Sequence, residues 1–309
     1  FIIAFMKKER KRHRYWFAIT LVIIFILLGV CICLYYNGKN PVAMNKIAII
    51  PIKGAISAEN GNADFFSSGS VGAGTVIGFL EAADKDKNVK AIILNINSPG
   101  GTVVASKEIA DATKKVNKPV VALIREVGTS GAYWVASAAD VIIADPLSVT
   151  GSIGVLGSYL EFSELFSEYG VKYQQLTTGE YKDLGNPYKS LSDKDKKVLL
   201  KKLETIHTYF VNDVSNNRKR DLTEYGDGLF YLGTEAKEIG LVDELGGKDL
   251  AIETAKKLAG ISEYELEFYQ QKKSFFDLLS SLSQNFGFSI GQGFGDRVLA
   301  QDDFEISLT

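Results

Sequence analysis

Residues 15–36 carry no charged side chain and read YWFAITLVIIFILLGVCICLYY. About 20 consecutive apolar residues are enough for a helix to cross the hydrocarbon core of a bilayer, and this run reaches that length. Tyr15 and Trp16 stand at one end, Tyr35 and Tyr36 at the other, where amphipathic rings favour the headgroup level. Core helices rarely need so long a run without a polar face. The run therefore predicts a transmembrane helix over residues 15–36.

Its flanks orient it. Lys7, Lys8, Arg10, Lys11, Arg12 and Arg14 lie just upstream, opposed only by Glu9. Basic flanks stay on the cytoplasmic side, so residues 1–14 are expected in the cytoplasm and everything from Asn37 onward outside the cell membrane. No small-x-small pair follows the run, as signal cleavage would require. Val30, not a small residue, precedes Cys31. The helix reads as a retained anchor, and Phe1 to Phe5, ahead of Met6, as an extension before the start. Cys31 and Cys33 are the only cysteines and both fall inside the span. With no other ligand beside them they read as apolar filler, not a metal site. The outer part then has no disulfide, and its own core or oligomer contacts must hold it together.

The formal net charge of the 309 residues is -2, which gives no sign of nucleic-acid binding. Residues 37–45 read as a polar linker and 46–56, rich in Ile, as a first buried strand. Residues 57–75, crowded with Gly, Ser and Asn, read as a loop. Beyond them the pattern alternates: helices at 76–86, 103–116, 130–139, 160–169, 193–216 and 251–260, strands at 89–96, 119–124, 141–144 and 171–177. Such alternation predicts an α/β fold with a mainly parallel sheet wrapped by helices.

Chemistry concentrates between residues 121 and 157. A buried strand ends near Ile124, and Ser130 then opens a helix of small residues. A hydroxyl at that point meets the positive end of the helix, which favours developing negative charge. Gly131 allows close approach, and its N–H can face an oxyanion. The same position is also the commonest place for an N-capping serine, and the local sequence leaves both uses open. A second signal is N-S-P-G-G at residues 97–101, directly after a strand. Paired glycines there allow unusual dihedrals and direct N–H groups at an anion, although an ordinary βα turn would look the same.

A serine nucleophile needs a base. The chain has only His13 and His207. The first lies on the cytoplasmic side of the anchor. The second sits in the long charged helix, where a solvated or capping role is usual. A lysine made less basic by burial is the remaining candidate, and the residues alone do not say which.

The order of these pieces resembles the signal peptide peptidase A family of serine peptidases, whose fold is Clp-protease-like or crotonase-like. The resemblance is carried by N-S-P-G-G at 97–101, T-S-G-A-Y-W at 129–134 and T-G-S-I-G-V at 150–155. It continues through G-E-Y-K-D at 179–183 and A-K-E-I-G-L-V-D-E-L-G at 236–246. It spans residues 46–260, and its length matches the short form of the family. It implies Ser130 as nucleophile, Lys182 as general base and Ser152 as the hydroxyl that holds the lysine amine. The backbone N–H groups of Gly101 and Gly131 would form the oxyanion hole. Glu180 and Asp183 flank Lys182, and their side chains are expected to point away from it.

The resemblance calls for no cofactor and no metal. It implies a homo-oligomeric ring in which Ser and Lys of one site come from neighbouring chains, acting on cleaved signal peptides and other hydrophobic peptides at the bilayer. The domain organisation it implies is a basic segment at 1–14, the anchor at 15–36, a linker at 37–45, a peptidase domain at 46–265 and a tail at 266–309. Two positions depart from the family pattern. Ala132 replaces a second glycine after the nucleophile, and Thr102 stands where Gly or Ser is usual; neither removes a backbone donor. A crotonase-like acyl-CoA enzyme would need no Ser–Lys pair and would find no acyl-CoA outside a membrane. An inactive scaffold that binds membrane proteins would be expected to lack Ser130 or Lys182, and both are present. A solute-binding ectodomain leaves the motif order unexplained.

Overall fold

The computed structural model describes residue 16 and residues 19–31, 45–60 and 69–270. Its centre is three parallel strands: β1 (Lys46–Lys53), β4 (Val89–Ser98) and β5 (Val120–Thr129). They are near-continuous apolar runs because both faces of the sheet are covered. Alternate residues serve the two faces. Ile50, Ile52, Leu94, Ile96, Ala122 and Ile124 enter one core. Ile47, Ile49, Ile93, Val121 and Leu123 enter the other.

Around this centre the strand order is β10-β1-β4-β5-β6-β9, completed by β6 (Val141–Ala144), β9 (Glu244–Leu245) and β10 (Glu265–Phe268). Every pairing on this path is parallel. The first core is roofed by α1 (Ala73–Lys85), α2 (Val103–Lys115) and α3 (Gly131–Ser137). The second is closed by α7 (Lys248–Ala259), through Ala251, Ile252 and Ala255. Further helices are α4 (Ser163–Glu168), α5 (Asp193–Arg218) and α6 (Gly233–Glu238). The parallel α/β architecture expected from the sequence is thus present.

Five short strands were hidden in the sequence: β9 and β10, already given, and three more. Within the expected loop at 57–75, β3 (Ser70–Gly72) pairs with β2 (Ala55–Ser57), and α1 begins at Ala73. The Asn60 side chain fixes this turn, accepting from the Gly72 N–H and donating to Thr75 Oγ1, both at 2.7 Å. Beyond β6, β7 (Val149–Gly151) adds to the end of β5 and pairs antiparallel with β8 (Phe230–Leu232). β10 runs to Phe268, past residue 265 where the sequence placed the end of the domain.

One expected strand is absent. Residues 171–177 form no ladder. Their alternation defines two faces but no neighbouring strand offers a partner. Instead Tyr173 accepts from the Asn186 amide at 2.9 Å and its ring lies 5.3 Å from that of Tyr188.

Residues 19–31 are helical with their large apolar side chains exposed. Among the described residues no helix is long and apolar enough to cross a membrane. The rest of the expected span (residues 15, 17, 18 and 32–36) lies outside the described residues, as do 1–14 and 271–309.

Candidate active site

β5 delivers Ser130. The strand ends at Thr129 and α3 starts at Gly131, so the serine must reverse direction in one residue. It does so at φ 52° and ψ −123°, a region that side chains other than glycine rarely adopt and that is found mainly where a function holds it. The turn is pinned on both sides. The Ser130 N–H donates to the Gly151 carbonyl at 2.8 Å, and its own carbonyl accepts from Trp134 N–H at 3.0 Å. The Ser130 side chain caps no N–H of α3, which separates it from the capping use that the sequence left open.

The 97–101 segment lies directly against this turn. A Cβ on Gly100 (φ +98°) would sit 2.7 Å from Gly131 N, and one on Gly101 only 1.8 Å from the Ile56 carbonyl oxygen. A Cβ on Gly131 would sit 2.2 Å from Ser106 Oγ and 3.3 Å from Gly101 N. At Gly100 and Gly101 backbone meets backbone; at Gly131 the Ser106 side chain takes the space. The Ser98 hydroxyl accepts from Gly100 N–H at 3.1 Å and holds the turn. The backbone N–H groups of Gly101 and Gly131 have no acceptor among the described residues. Two free donors therefore stand beside the Ser130 hydroxyl, an arrangement that can stabilise an oxyanion.

Ser152 directly follows β7. It too has a positive φ, of 50°, and its N–H donates to the Leu229 carbonyl at 2.8 Å. Ser130, Ser152, Gly101 and Gly131 all line one cavity of about 760 Å³. Its apolar wall is Val103, Trp134, Val155, Leu156 and Phe210. Trp134 stacks on Phe210 with centroids 4.4 Å apart, and its indole N–H donates to Asp213 Oδ2 at 2.7 Å. Among the described residues no cluster of His, Cys, Asp and Glu could hold a metal ion.

Lys182 is placed elsewhere. It sits exposed in the turn that follows Gly179 and does not line the cavity of its own chain. The burial expected of a lysine base is therefore not supplied within one chain, because none of residues 154–192 is buried. Its acidic neighbours do turn away: Asp183 pairs with Lys189 at 2.8 Å and Glu180 with Lys194. Lys189 brings the Asp183 carboxyl below its usual range. Lys182 itself has no ion-pair partner among the described residues.

His207 requires a correction. It is no solvated helix residue but half-buried on the cavity wall, beside Asp227, with Nε2 against the Gly226 carbonyl. Carbonyl oxygen only accepts, so Nε2 carries the proton there. Sequence reasoning also passed over Ser106, Trp134 and Phe210. Trp134 lies inside the 129–134 motif, and Ser106 and Phe210 carry no local signal beyond helical spacing.

Comparison with known proteins agrees with this architecture. Peptidase family S49 matches residues 112–262, and the Clp protease family matches residues 69–145. A Methanocaldococcus jannaschii protein named provisionally as a protease is 32% identical over 290 residues, covering 90% of this chain and 92% of the relative. An Enterococcus faecium protein named provisionally as signal peptide peptidase SppA is 33% identical, covering 69% of this chain and 63% of that one. Protease 4 of Salmonella typhi is 33% identical, over 79% of this chain but only 40% of its own length. The chain therefore belongs to peptidase family S49, the signal peptide peptidase A family of serine peptidases.

Proposed function

We propose that Ser130 is the nucleophile of a membrane-anchored serine endopeptidase whose general base is Lys182 of a neighbouring copy. The observation that carries this reading is the Ser130 turn itself: a strained, uncapped serine on a cavity wall, with two unpartnered backbone N–H groups next to it. The neutral Lys182 amine takes the Ser130 proton as Oγ attacks the scissile carbonyl carbon. The N–H groups of Gly101 and Gly131 hold the resulting oxyanion. Collapse expels the amine product, which receives the proton from Lys182, and water then releases the acyl group. Ser152 orients the lysine amine.

Three features favour a shared site. Lys182 is exposed and outside the cavity of its own chain, while Ser152, its expected partner, lines that cavity. Residues 154–192 expose Leu156, Leu160, Tyr169 and Leu176, the last of them completely. Large apolar side chains left exposed within one segment suit an association surface, and a homo-oligomeric ring would cover them. The anchor at 15–36, an extracytoplasmic domain at 46–265 and hydrophobic peptide substrates, including cleaved signal peptides, belong to the same proposal. The apolar wall of Trp134, Phe210, Val155 and Leu156 suits such substrates.

A second reading uses His207 as base, because it shares the cavity with Ser130. Its bond to the Gly226 carbonyl makes Nε2 a donor, so only Nδ1 is left to accept the serine proton. The deciding experiment is labelling of the detergent-purified chain with a serine-reactive fluorophosphonate, with mapping of the modified residue. Labelling at Ser130 that is lost in Lys182→Ala and kept in His207→Ala supports the dyad. The opposite pattern installs histidine, and no labelling of an assembled protein favours an inactive scaffold.

A further inference from the structure

Ser106 lies in the second turn of α2, its own N–H donating to the Thr102 carbonyl at 3.0 Å. Its side chain is fully buried and lines the cavity, yet the hydroxyl oxygen has no hydrogen-bond partner. Folded proteins seldom leave a buried hydroxyl unmet, and exceptions cluster where a function requires them. The same helix shows the ordinary solution seven residues on: Thr113 donates to the Ile109 carbonyl at 2.9 Å. Ser106 makes no such bond to the turn before it.

Its position gives the unmet hydroxyl a meaning. Oγ is 2.2 Å from the point that a Gly131 Cβ would occupy, and the Gly101 nitrogen is 3.3 Å from that same point. The hydroxyl therefore lies against the Cα face of Gly131, on the side that also faces Gly101 N, and lines the same cavity as both glycines. We infer that Ser106 is a third hydrogen-bond donor to the oxyanion, turning its O–H toward the substrate carbonyl oxygen as negative charge develops there. The inference rests on the Ser130 reading. Ser106 keeps its proton throughout, and because it has no partner at rest, turning breaks no existing bond. Alanine removes the donor and keeps only the Cβ, 2.9 Å from the same point.

The test uses the full chain with Ser106→Ala and Ser106→Cys, read by peptide hydrolysis, thermal melting and affinity for a peptide boronate that becomes tetrahedral on the serine. In Ser106→Ala, kcat should fall by about tenfold or more with KM unchanged, as expected for a donor used mainly in the transition state. Boronate affinity should fall with it. The melting temperature should hold or rise, because an unmet buried hydroxyl has been removed. Cysteine, a weaker donor, should be intermediate. Full kcat in Ser106→Ala, an effect confined to KM, or a loss that tracks a lower melting temperature would each overturn the inference. Fluorophosphonate labelling separates the two failures. If Ser130 is labelled but Ser106→Ala is fully active, only the third donor is lost; if wild-type Ser130 is never labelled, the peptidase reading falls and this inference with it.

Discussion

Ser130 and Ser152 leave neighbouring parallel strands side by side: Thr129 stands opposite Gly151 in register, and the next residue on each strand turns into a positive φ, 52° and 50°. Two strained serines at adjacent strand ends make the stability of this turn informative as well as its chemistry.

Replacing Ser130 separates the two. Ser130→Ala should lower peptidase activity by about 10³-fold or more, while keeping the strain of a side chain at positive φ. Ser130→Gly should be equally inactive but relax that strain, worth about 1–3 kcal/mol, less the greater chain entropy of glycine. Urea unfolding should find the glycine variant more stable than the alanine variant by about 1 kcal/mol. A more stable alanine variant would show that the turn is not strained.

Sharing of the site is tested by mixing. Ser130→Ala and Lys182→Ala subunits, each inactive alone, should recover part of the activity when co-assembled, because some interfaces then join an intact serine to an intact lysine. Absence of recovery in oligomers shown to be mixed would return both residues to one chain. Lys182→Arg should be inactive, since guanidinium holds its proton throughout the usable pH range. His207→Ala should leave the pH profile of activity unaltered.

The close approach at Gly131 predicts a coupling. Gly131→Ala places a Cβ 2.2 Å from Ser106 Oγ, overpacking that should cost about 1–3 kcal/mol. Ser106→Gly empties that space. In the double variant the two losses should therefore sum to less than their separate values by about 1 kcal/mol or more. Additive losses by denaturant unfolding would mean that the neighbourhood yields elsewhere.

The cavity wall makes a further prediction. The Trp134 indole N–H donates to Asp213, which also pairs with Lys114 at 3.0 Å. Asp213→Ala leaves the buried N–H unmet and should destabilise the fold by about 1–3 kcal/mol. Combined with Trp134→Phe, which removes that donor, the loss from the aspartate change should shrink. An undiminished loss would assign the aspartate's contribution to Lys114.

Long apolar runs were the legible part of this chain. β1, β4 and β5 were readable because burial on both faces leaves an uninterrupted Ile and Val signal. Ser130 and the 97–101 glycines were readable because they fall where strand gives way to helix. β7 and β8 were not: three residues carry no period, and their pairing joins positions some eighty residues apart. His207 was misjudged because the helix pattern around it is charged, while the ring itself faces inward onto Gly226. Ser106 is invisible to sequence reasoning, since a serine in a helix announces nothing until its missing partner is noticed.

The β5–β7 pairing works like a vernier. A slip of one residue between these strands would bring Thr129 or Gly151 to the cavity in place of one serine and reverse which side chains face inward. Two stops resist it: the Thr150 hydroxyl donates to the Gly128 carbonyl at 2.8 Å, and β8 grips β7 from its other edge. A length change in residues 145–148 that keeps both stops should therefore leave the two serines aligned. A change that loosens either stop should misplace one serine against the other while the three-strand centre stays folded.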